Sequence, residues 1–96
     1  MFFVTVRYVK PLDVIDALLP GHVEYLRGLY AAGTLLLSGR QVPRTGGALV
    51  FRGLSREALA KELAKDPFAK AGAAEYDILE FTPSMAAGEL SFLIEG

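Results

Sequence analysis

The feature that most constrains the fold is the order in which strand-like and helix-like segments follow one another. Four segments rich in β-branched, aromatic and aliphatic residues are bounded by proline or glycine, as β-strands are. They span residues 2–10, 34–40, 48–53 and 75–82. One helical segment separates the first two strands, and a second, opened by Ser55 and closed by Asp66-Pro67, separates the last two. The order is therefore β-α-β-β-α-β.

This order leaves few ways to assemble a sheet. Strand-helix-strand crossovers are right-handed, and each helical segment here joins two strands over a crossover length. The 96 residues support one domain. We therefore predict an α+β domain of the ferredoxin-like class, with a four-stranded antiparallel sheet and both helices on one of its faces.

The first helical segment contains Pro20, which predicts an interruption. A proline inside a helix removes a backbone donor and clashes with the preceding turn, whereas at the first helical position it is well tolerated. We therefore expect a short helical turn, opened by Asp13, that ends before Pro20. The main helix is expected to run from Pro20 to Ala32, with Gly33 as its C-terminal cap.

The sheet face without helices is predicted to pair with a second copy of the chain. A domain of this size buries only roughly 60% of its unfolded surface, and yet 52% of the residues are hydrophobic. The second face of the first strand carries Phe3, Thr5, Arg7 and Val9, which is too apolar for an ordinary solvent face. Two such faces packed together would cover this surface in a homodimer or a higher homo-oligomer.

Composition narrows the other partners. The net charge of −1 disfavours nucleic acid and anionic membranes, and the absence of cysteine excludes disulfides and thiolate metal sites. With His22 as the single histidine, we predict no metal and no cofactor. Since no apolar run approaches the ~20 residues of a membrane span and the N-terminus lacks the pattern of a signal peptide, we expect a cytoplasmic protein without a membrane partner.

Three sequence pieces, in their order and spacing, resemble the YciI-like family. His22 opens the amphipathic helix segment, the strand TLLLSG follows at 34–39, and DPFAKAG begins at Asp66 after the second helix. The resemblance covers about residues 1–83. It implies the fold of muconolactone isomerase and other dimeric α/β-barrel proteins. It also implies that the family's characteristic histidine and aspartate correspond to His22 and Asp66.

Two positions depart from the family pattern. Leu19 stands where relatives often have an arginine, three residues before the histidine, and Arg40 stands where they often have proline. If the relatives' arginine binds an anionic ligand, Arg40 or Arg7 is the substitute that this chain offers. Arg7 has a structural alternative, a salt bridge to Glu80.

His22 and Asp66 are the predicted catalytic residues. Imidazole titrates near neutrality and can act as a general acid and base, while a neighbouring carboxylate fixes its tautomer and stabilises its protonated form. The structural alternatives are that His22 only packs at a helix start and that Asp66 only caps the following turn. Ser38, on the second strand, is predicted to face the same pocket and to contact substrate together with Arg7 and Arg40.

The function predicted from these residues is that of a small-molecule enzyme, a lyase or an isomerase, with a His22–Asp66 pair in a pocket of a homodimer. One alternative is a non-catalytic dimeric module that binds a small ligand or serves as an accessory domain. Another is a haem-dependent relative with His22 as iron ligand, which a Soret band in the purified protein would reveal.

The C-terminal residues are predicted to form a separate docking segment. We divide the chain into a YciI-like domain at 1–83 and a tail at 84–96. The tail carries Leu90, Phe92, Leu93 and Ile94, a concentration of apolar residues that a freely solvated end would not need. We expect it to dock on the domain or on the partner chain.

Overall fold

A single antiparallel sheet organises the chain in a computed structural model that describes residues 1–94. The strands are β1 (Phe2–Tyr8), β2 (Leu35–Arg40), β3 (Gly46–Phe51) and β4 (Ala74–Glu80). The helices are α1 (Leu12–Ala31), α2 (Arg56–Leu63) and α3 (Pro67–Lys70), followed by a 3₁₀-helix at Gly88–Leu93. The strand order is β2-β3-β1-β4, and every neighbouring pair is antiparallel. The predicted ferredoxin-like α+β fold is therefore confirmed.

The core lies between the sheet and the helices, and alternation along the strands explains which side chains enter it. In β1, Phe2, Val4 and Val6 are buried, while the residues between them point to the other face. Their cross-strand neighbours on β3 continue the same layer. The helices cover it with further buried apolar side chains: Ile15, Leu29, Leu59, Leu63 and Phe68.

The predicted interruption at Pro20 is wrong, because α1 runs unbroken from Leu12 to Ala31. A proline deprives the carbonyl four residues earlier of its donor, and here that carbonyl belongs to Asp16. Both Pro20 and Asp16 are exposed, so this carbonyl lies on the side of the helix where water can hydrate it. The opposite side of the helix is held by buried Ile15 and Leu29. Tertiary burial thus outweighs the local preference of proline.

The predicted cap at Gly33 is present and turns the chain directly into β2. Gly33 has φ = +79°, a conformation that glycine adopts without a steric penalty. Its N–H donates to Tyr30 at 3.0 Å, and the next N–H, that of Thr34, donates to Leu29 at 3.2 Å. These two bonds define a Schellman motif. The tight reversal lays β2 close to α1, which brings residues of both elements to one cavity.

The second sheet face is apolar at its centre. Leu37 and Leu79 are 58% and 62% exposed there, and Phe3 lies between them on β1. Arg7 and Asp77 stand toward one end of the same face. Within residues 1–94, no helix is long and apolar enough to cross a membrane.

The tail makes limited contact with the domain. The Arg52 guanidinium lies 5.2 Å from the centre of the Phe92 ring, a cation–π contact. Leu93 and Ile94 are half-buried, whereas Leu90 and Phe92 are exposed. The division into a domain at 1–83 and a docking tail at 84–96 remains a prediction.

Candidate active site

The centre of the candidate site is a contact between two buried side chains from different helices. His22 lies in α1 and is 9% exposed, and Asp66 lies just before α3 and is fully buried. The His22 Nδ1 atom is 2.8 Å from the Asp66 Oδ1 atom. The close approach of the two side chains that the sequence predicts is therefore present.

Asp66 is positioned by its place at the start of α3. As the N-cap residue, it accepts a hydrogen bond at Oδ1 from the Phe68 N–H at 3.0 Å. Pro67 occupies the first helical position, where a backbone N–H would have no partner within the helix and its absence costs nothing. The Tyr76 hydroxyl donates to the other oxygen, Oδ2, at 2.6 Å. Counting the His22 ring, three donors converge on this carboxylate. The capping role and the contact with His22 therefore coexist.

The orientation of the His22 ring follows from these contacts. The ring stacks on Phe68, with centroids 4.0 Å apart and planes inclined by 12°. An ionised carboxylate only accepts hydrogen bonds, so the His22 Nδ1 atom carries the proton in the contact with Asp66. The neutral ring then has an unprotonated Nε2, for which residues 1–94 supply no hydrogen-bond partner. This nitrogen is available to a ligand.

A cavity of about 240 Å³ opens beside the His22 ring. Its wall is formed by α1, β1, β2, β3 and α3, and most of its lining is apolar. The lining residues are Val6, Tyr8, Leu19, His22, Val23, Leu26, Ser38, Gly39, Arg40, Gly47, Leu49 and Phe68. The volume lies below the ~300–1,000 Å³ of sites for drug-sized ligands, so it suits a single ring or a short chain.

Ser38 and Arg40 both line this cavity with His22, on the side of the sheet that faces the helices. The Ser38 hydroxyl is 2.6 Å from the hydroxyl of Tyr30, and a hydroxyl with one such partner can still make further hydrogen bonds to a ligand. Arg40 is exposed at the cavity rim, and no carboxylate of residues 1–94 lies within salt-bridge distance of it. The cavity therefore combines an apolar wall with an imidazole, a hydroxyl and a guanidinium.

Arg7 is not brought to this cavity. Because side chains alternate along a strand, Val6 and Tyr8 face the helices and Arg7 faces the opposite side of the sheet. There it forms a salt bridge with Glu75, its cross-strand neighbour. The predicted partner Glu80 instead lies 4.0 Å from Arg56. The geometry of the single chain gives Arg7 no role beside His22.

Two tyrosines complete the surroundings of Asp66: Tyr25, which the sequence suggests only as a helix-packing residue, and Tyr76, which the sequence reasoning does not single out. Burial, together with the hydrogen bond to Asp66, raises the pKa of Tyr76 well above its usual range. Burial and the nearby charge of Asp66 likewise raise the pKa of Tyr25, whose hydroxyl donates to the Glu62 carbonyl at 2.6 Å. The alternation of β4 places Tyr76 on the helix side, opposite Val6, which is the signal that could have revealed it.

The site does not match a metal centre or a haem pocket. Among residues 1–94, no group of three or more histidine, cysteine, aspartate or glutamate side chains could hold a metal ion. The Nε2 atom of His22 could ligate a haem iron, but a haem macrocycle is larger than the 240 Å³ cavity of the single chain. The cavity volume thus favours a smaller ligand.

Comparisons with known proteins agree with this architecture. A model of the YCII-related domain family matches residues 1–82. Among solved structures, the chain is similar to the 5-chloro-2-hydroxyhydroquinone dehydrochlorinase of Burkholderia phenoliruptrix, in complex with 2,5-dihydroxybenzoquinone. The TM-score is 0.71 at 23% sequence identity, and the match covers 85% of this chain and 94% of the other. No curated protein matches the chain.

Proposed function

The chain belongs to the YCII-related domain family, and from that premise we propose that it is a small-molecule enzyme of the lyase or isomerase type. The observation that carries the proposal is the 2.8 Å contact between His22 and Asp66 beside a cavity. A buried carboxylate that accepts three hydrogen bonds does more than capping requires. A histidine held in one tautomer, with its second nitrogen free, is the arrangement that general acid–base catalysis needs.

In the proposed reaction, His22 moves a proton. The Nε2 lone pair takes a proton from a carbon next to a carbonyl group of the substrate, which a hydroxylated ring provides in its keto tautomer. The electrons of the broken C–H bond then form a new double bond as a leaving group departs with its own electron pair, or they form an enolate. The imidazolium ion gains a favourable interaction with Asp66 and returns its proton to the leaving group or to another carbon.

The proposed substrate is a small ring that bears hydroxyl or oxo groups. The similar dehydrochlorinase, whose structure holds 2,5-dihydroxybenzoquinone, supports this choice, as do the cavity volume and its apolar wall. Arg40 is suited to an anionic oxygen at the rim, and Ser38 to a hydroxyl inside. Leu19 keeps the adjoining wall apolar.

We also propose that the working unit is a homodimer. The apolar centre of the second sheet face, with Phe3, Leu37 and Leu79, is the surface that a second copy would cover. In this arrangement the domain at 1–83 supplies the sheet. The tail at 84–96, through its exposed Leu90 and Phe92, would dock on the domain or on the partner chain.

Ligand binding and turnover test the proposal together. We expect 2,5-dihydroxybenzoquinone to bind the wild-type protein in isothermal titration calorimetry and Arg40→Gln to weaken that binding. Arg27→Gln is the matched control, because Arg27 is an exposed arginine on α1 that does not line the cavity. A panel of halogenated single-ring hydroquinones should show halide release that His22→Gln abolishes.

The outcomes separate the candidate functions. Binding without turnover of any panel member would favour the non-catalytic ligand-binding module over an enzyme. Equal effects of Arg40→Gln and Arg27→Gln would remove Arg40 from the site. If the protein neither binds nor turns over any member of the panel, the proposed substrate class is contradicted.

A further inference from the structure

Tyr76 is the residue around Asp66 whose role the proposed reaction does not yet explain. It lies on β4, and it does not line the His22 cavity. Its hydroxyl makes one side-chain hydrogen bond, to Asp66 Oδ2 at 2.6 Å. A series of contacts therefore runs from the cavity through His22 and Asp66 to the sheet.

We propose that Tyr76 is a positioning residue that fixes the Asp66 carboxylate, and through it the proton-transferring tautomer of His22. The inference rests on the proposed function, since orienting His22 matters for catalysis only if His22 transfers a proton. It extends that function by adding a third side chain, supplied by the sheet, to a pair supplied by helices.

The division of donors between the two carboxylate oxygens supports this role. Oδ1 accepts from both the Phe68 N–H and the His22 Nδ1–H, whereas Oδ2 accepts from Tyr76. Because the two oxygens belong to one planar group, a hydrogen bond that fixes Oδ2 also fixes the position of Oδ1. Without the Tyr76 hydroxyl, Oδ2 would be a fully buried acceptor lacking a partner, and the carboxylate would turn to satisfy it at the expense of Oδ1.

The surroundings of Tyr76 keep it a donor. Its ring belongs to the partly buried layer packed on the core, so the hydroxyl is held near the carboxylate by packing as well as by the bond itself. Burial and the negative charge of Asp66 raise the pKa of Tyr76, so the phenol retains its proton at any pH at which the chain is expected to function. Tyr76 thus acts on Asp66 as a constant hydrogen-bond donor.

Nuclear magnetic resonance of the single histidine tests this role without any substrate. In wild-type protein labelled with ¹⁵N, the His22 Nδ1–H should give a slowly exchanging downfield proton resonance. Tyr76→Phe, which removes one oxygen and keeps the ring, should shift or broaden this resonance. Tyr25→Phe is the matched control, since it removes a half-buried tyrosine hydroxyl that donates to the Glu62 carbonyl and not to Asp66. It should leave the resonance in place.

Combining Tyr76→Phe with a substitution of Asp66 tests whether Tyr76 influences His22 through the Asp66 carboxylate. In Asp66→Asn protein, the wild-type signal should already be lost, and adding Tyr76→Phe should change the His22 spectrum no further. With a substrate turned over by the wild-type protein, Tyr76→Phe should lower kcat roughly tenfold, the scale on which such outer partners act, with KM unchanged.

An unchanged His22 resonance in folded Tyr76→Phe would overturn the positioning role whether or not the protein is an enzyme. A shifted resonance in a protein that turns nothing over would uphold the role and count against the proposed function instead. Should Tyr76→Phe fail to fold, wild-type protein grown on 3-fluorotyrosine keeps all four hydroxyls and strengthens them as donors. Its His22 resonance should be shifted relative to that of unfluorinated protein. The shift should remain in a Tyr25→Phe background, where it cannot pass through the Tyr25 hydroxyl, and the absence of a shift would overturn the role.

Discussion

At the scale of single residues, Asp66 stabilises one element and orients another. Its bond to the Phe68 N–H caps α3, and its bonds to His22 and Tyr76 hold side chains of α1 and β4. Being fully buried, it leaves each donor unsatisfied when it is removed. This double role is the reason that capping and site formation cannot be separated at this position.

Comparison with a residue that only caps a helix measures how much the bonds of Asp66 to His22 and Tyr76 add to stability. Ser55 caps α2 through a 3.1 Å bond from the Ala58 N–H and has no further side-chain partner among residues 1–94. We expect Ser55→Ala to lower the free energy of unfolding by about 1 kcal/mol. Asp66→Ala should cost more, because each buried donor left without an acceptor adds about 1–3 kcal/mol. Urea unfolding of the two variants would give this difference, and equal losses would show that Asp66 is only a cap.

The tyrosines near Asp66 make stability sensitive to alkaline pH. Burial raises the pKa of Tyr76 and of Tyr25 in the folded chain, whereas in the unfolded chain both lose their protons near pH 10. Their favourable contribution is complete below about pH 10 and declines above it, because the unfolded state then releases protons that the folded state retains. The free energy of unfolding should therefore fall above about pH 10.

The contribution of Tyr76 to this decline can be isolated. Its replacement by phenylalanine should flatten the alkaline part of the stability curve measured by urea unfolding at a series of pH values. Curves for wild type and Tyr76→Phe that run parallel from pH 8 to 11 would show that this phenol does not couple to folding.

At the scale of elements, strand alternation could be predicted far better than helix continuity. The sequence predicts β1, β2, β3 and β4 to within a few residues, because their apolar runs end at proline or glycine. It fails at Pro20, where the outcome depends on which side of α1 faces water, a property of the assembled fold. Tyr76 was missed for a similar reason, since its partner Asp66 is ten residues away on another element.

The candidate site was predictable only in part from the sequence. His22, Ser38 and Arg40 line one cavity, and Asp66 supports it through its contact with His22. For Arg7, the charge favours a substrate contact, but strand alternation already assigns it to the second sheet face with Phe3 and Thr5, away from Val6 and the cavity.

The pairing of β1 with β3 makes an element-scale prediction. A Cβ atom added at Gly46 would lie 1.7 Å from the Val6 carbonyl oxygen. The two strands can therefore approach this closely only because residue 46 has no side chain. Gly46→Ala should destabilise the chain by about 1–3 kcal/mol through forced separation of the strands.

Gly39 supplies the control for this variant, since a Cβ built there meets open space on the same sheet. Gly39→Ala should have a free energy of unfolding within about 0.5 kcal/mol of wild type. Thermal unfolding of both variants provides the comparison, and a Gly46→Ala protein as stable as Gly39→Ala would show that β1 and β3 pair differently.

At the scale of the whole molecule, the exposed apolar sheet face predicts that the chain forms a dimer. Two copies that cover Phe3, Leu37 and Leu79 should form a stable dimer, measured as about twice the 10.4 kDa chain mass by light scattering at micromolar concentration. Leu37→Asp should yield monomer, because a charge buried in such an interface has no partner.

A control charge should leave the dimer intact. Val42 lies in the loop between β2 and β3 and is 98% exposed, so Val42→Asp adds the same charge away from the sheet face. A monomeric wild-type protein, or dissociation by both variants alike, would contradict a dimer formed through this face.

The proposed mechanism depends most on which nitrogen of the His22 imidazole carries the proton, and this can be observed directly. Because His22 is the single histidine, its two ring nitrogens give unambiguous ¹⁵N resonances. At a pH where the ring is neutral, we predict a protonated Nδ1 and an unprotonated Nε2 in the wild type, and loss of that preference in Asp66→Asn. A neutral wild-type ring that carries its proton on Nε2 would contradict the account, because Asp66 would then not hold the nitrogen that faces it and the free base beside the cavity would not exist.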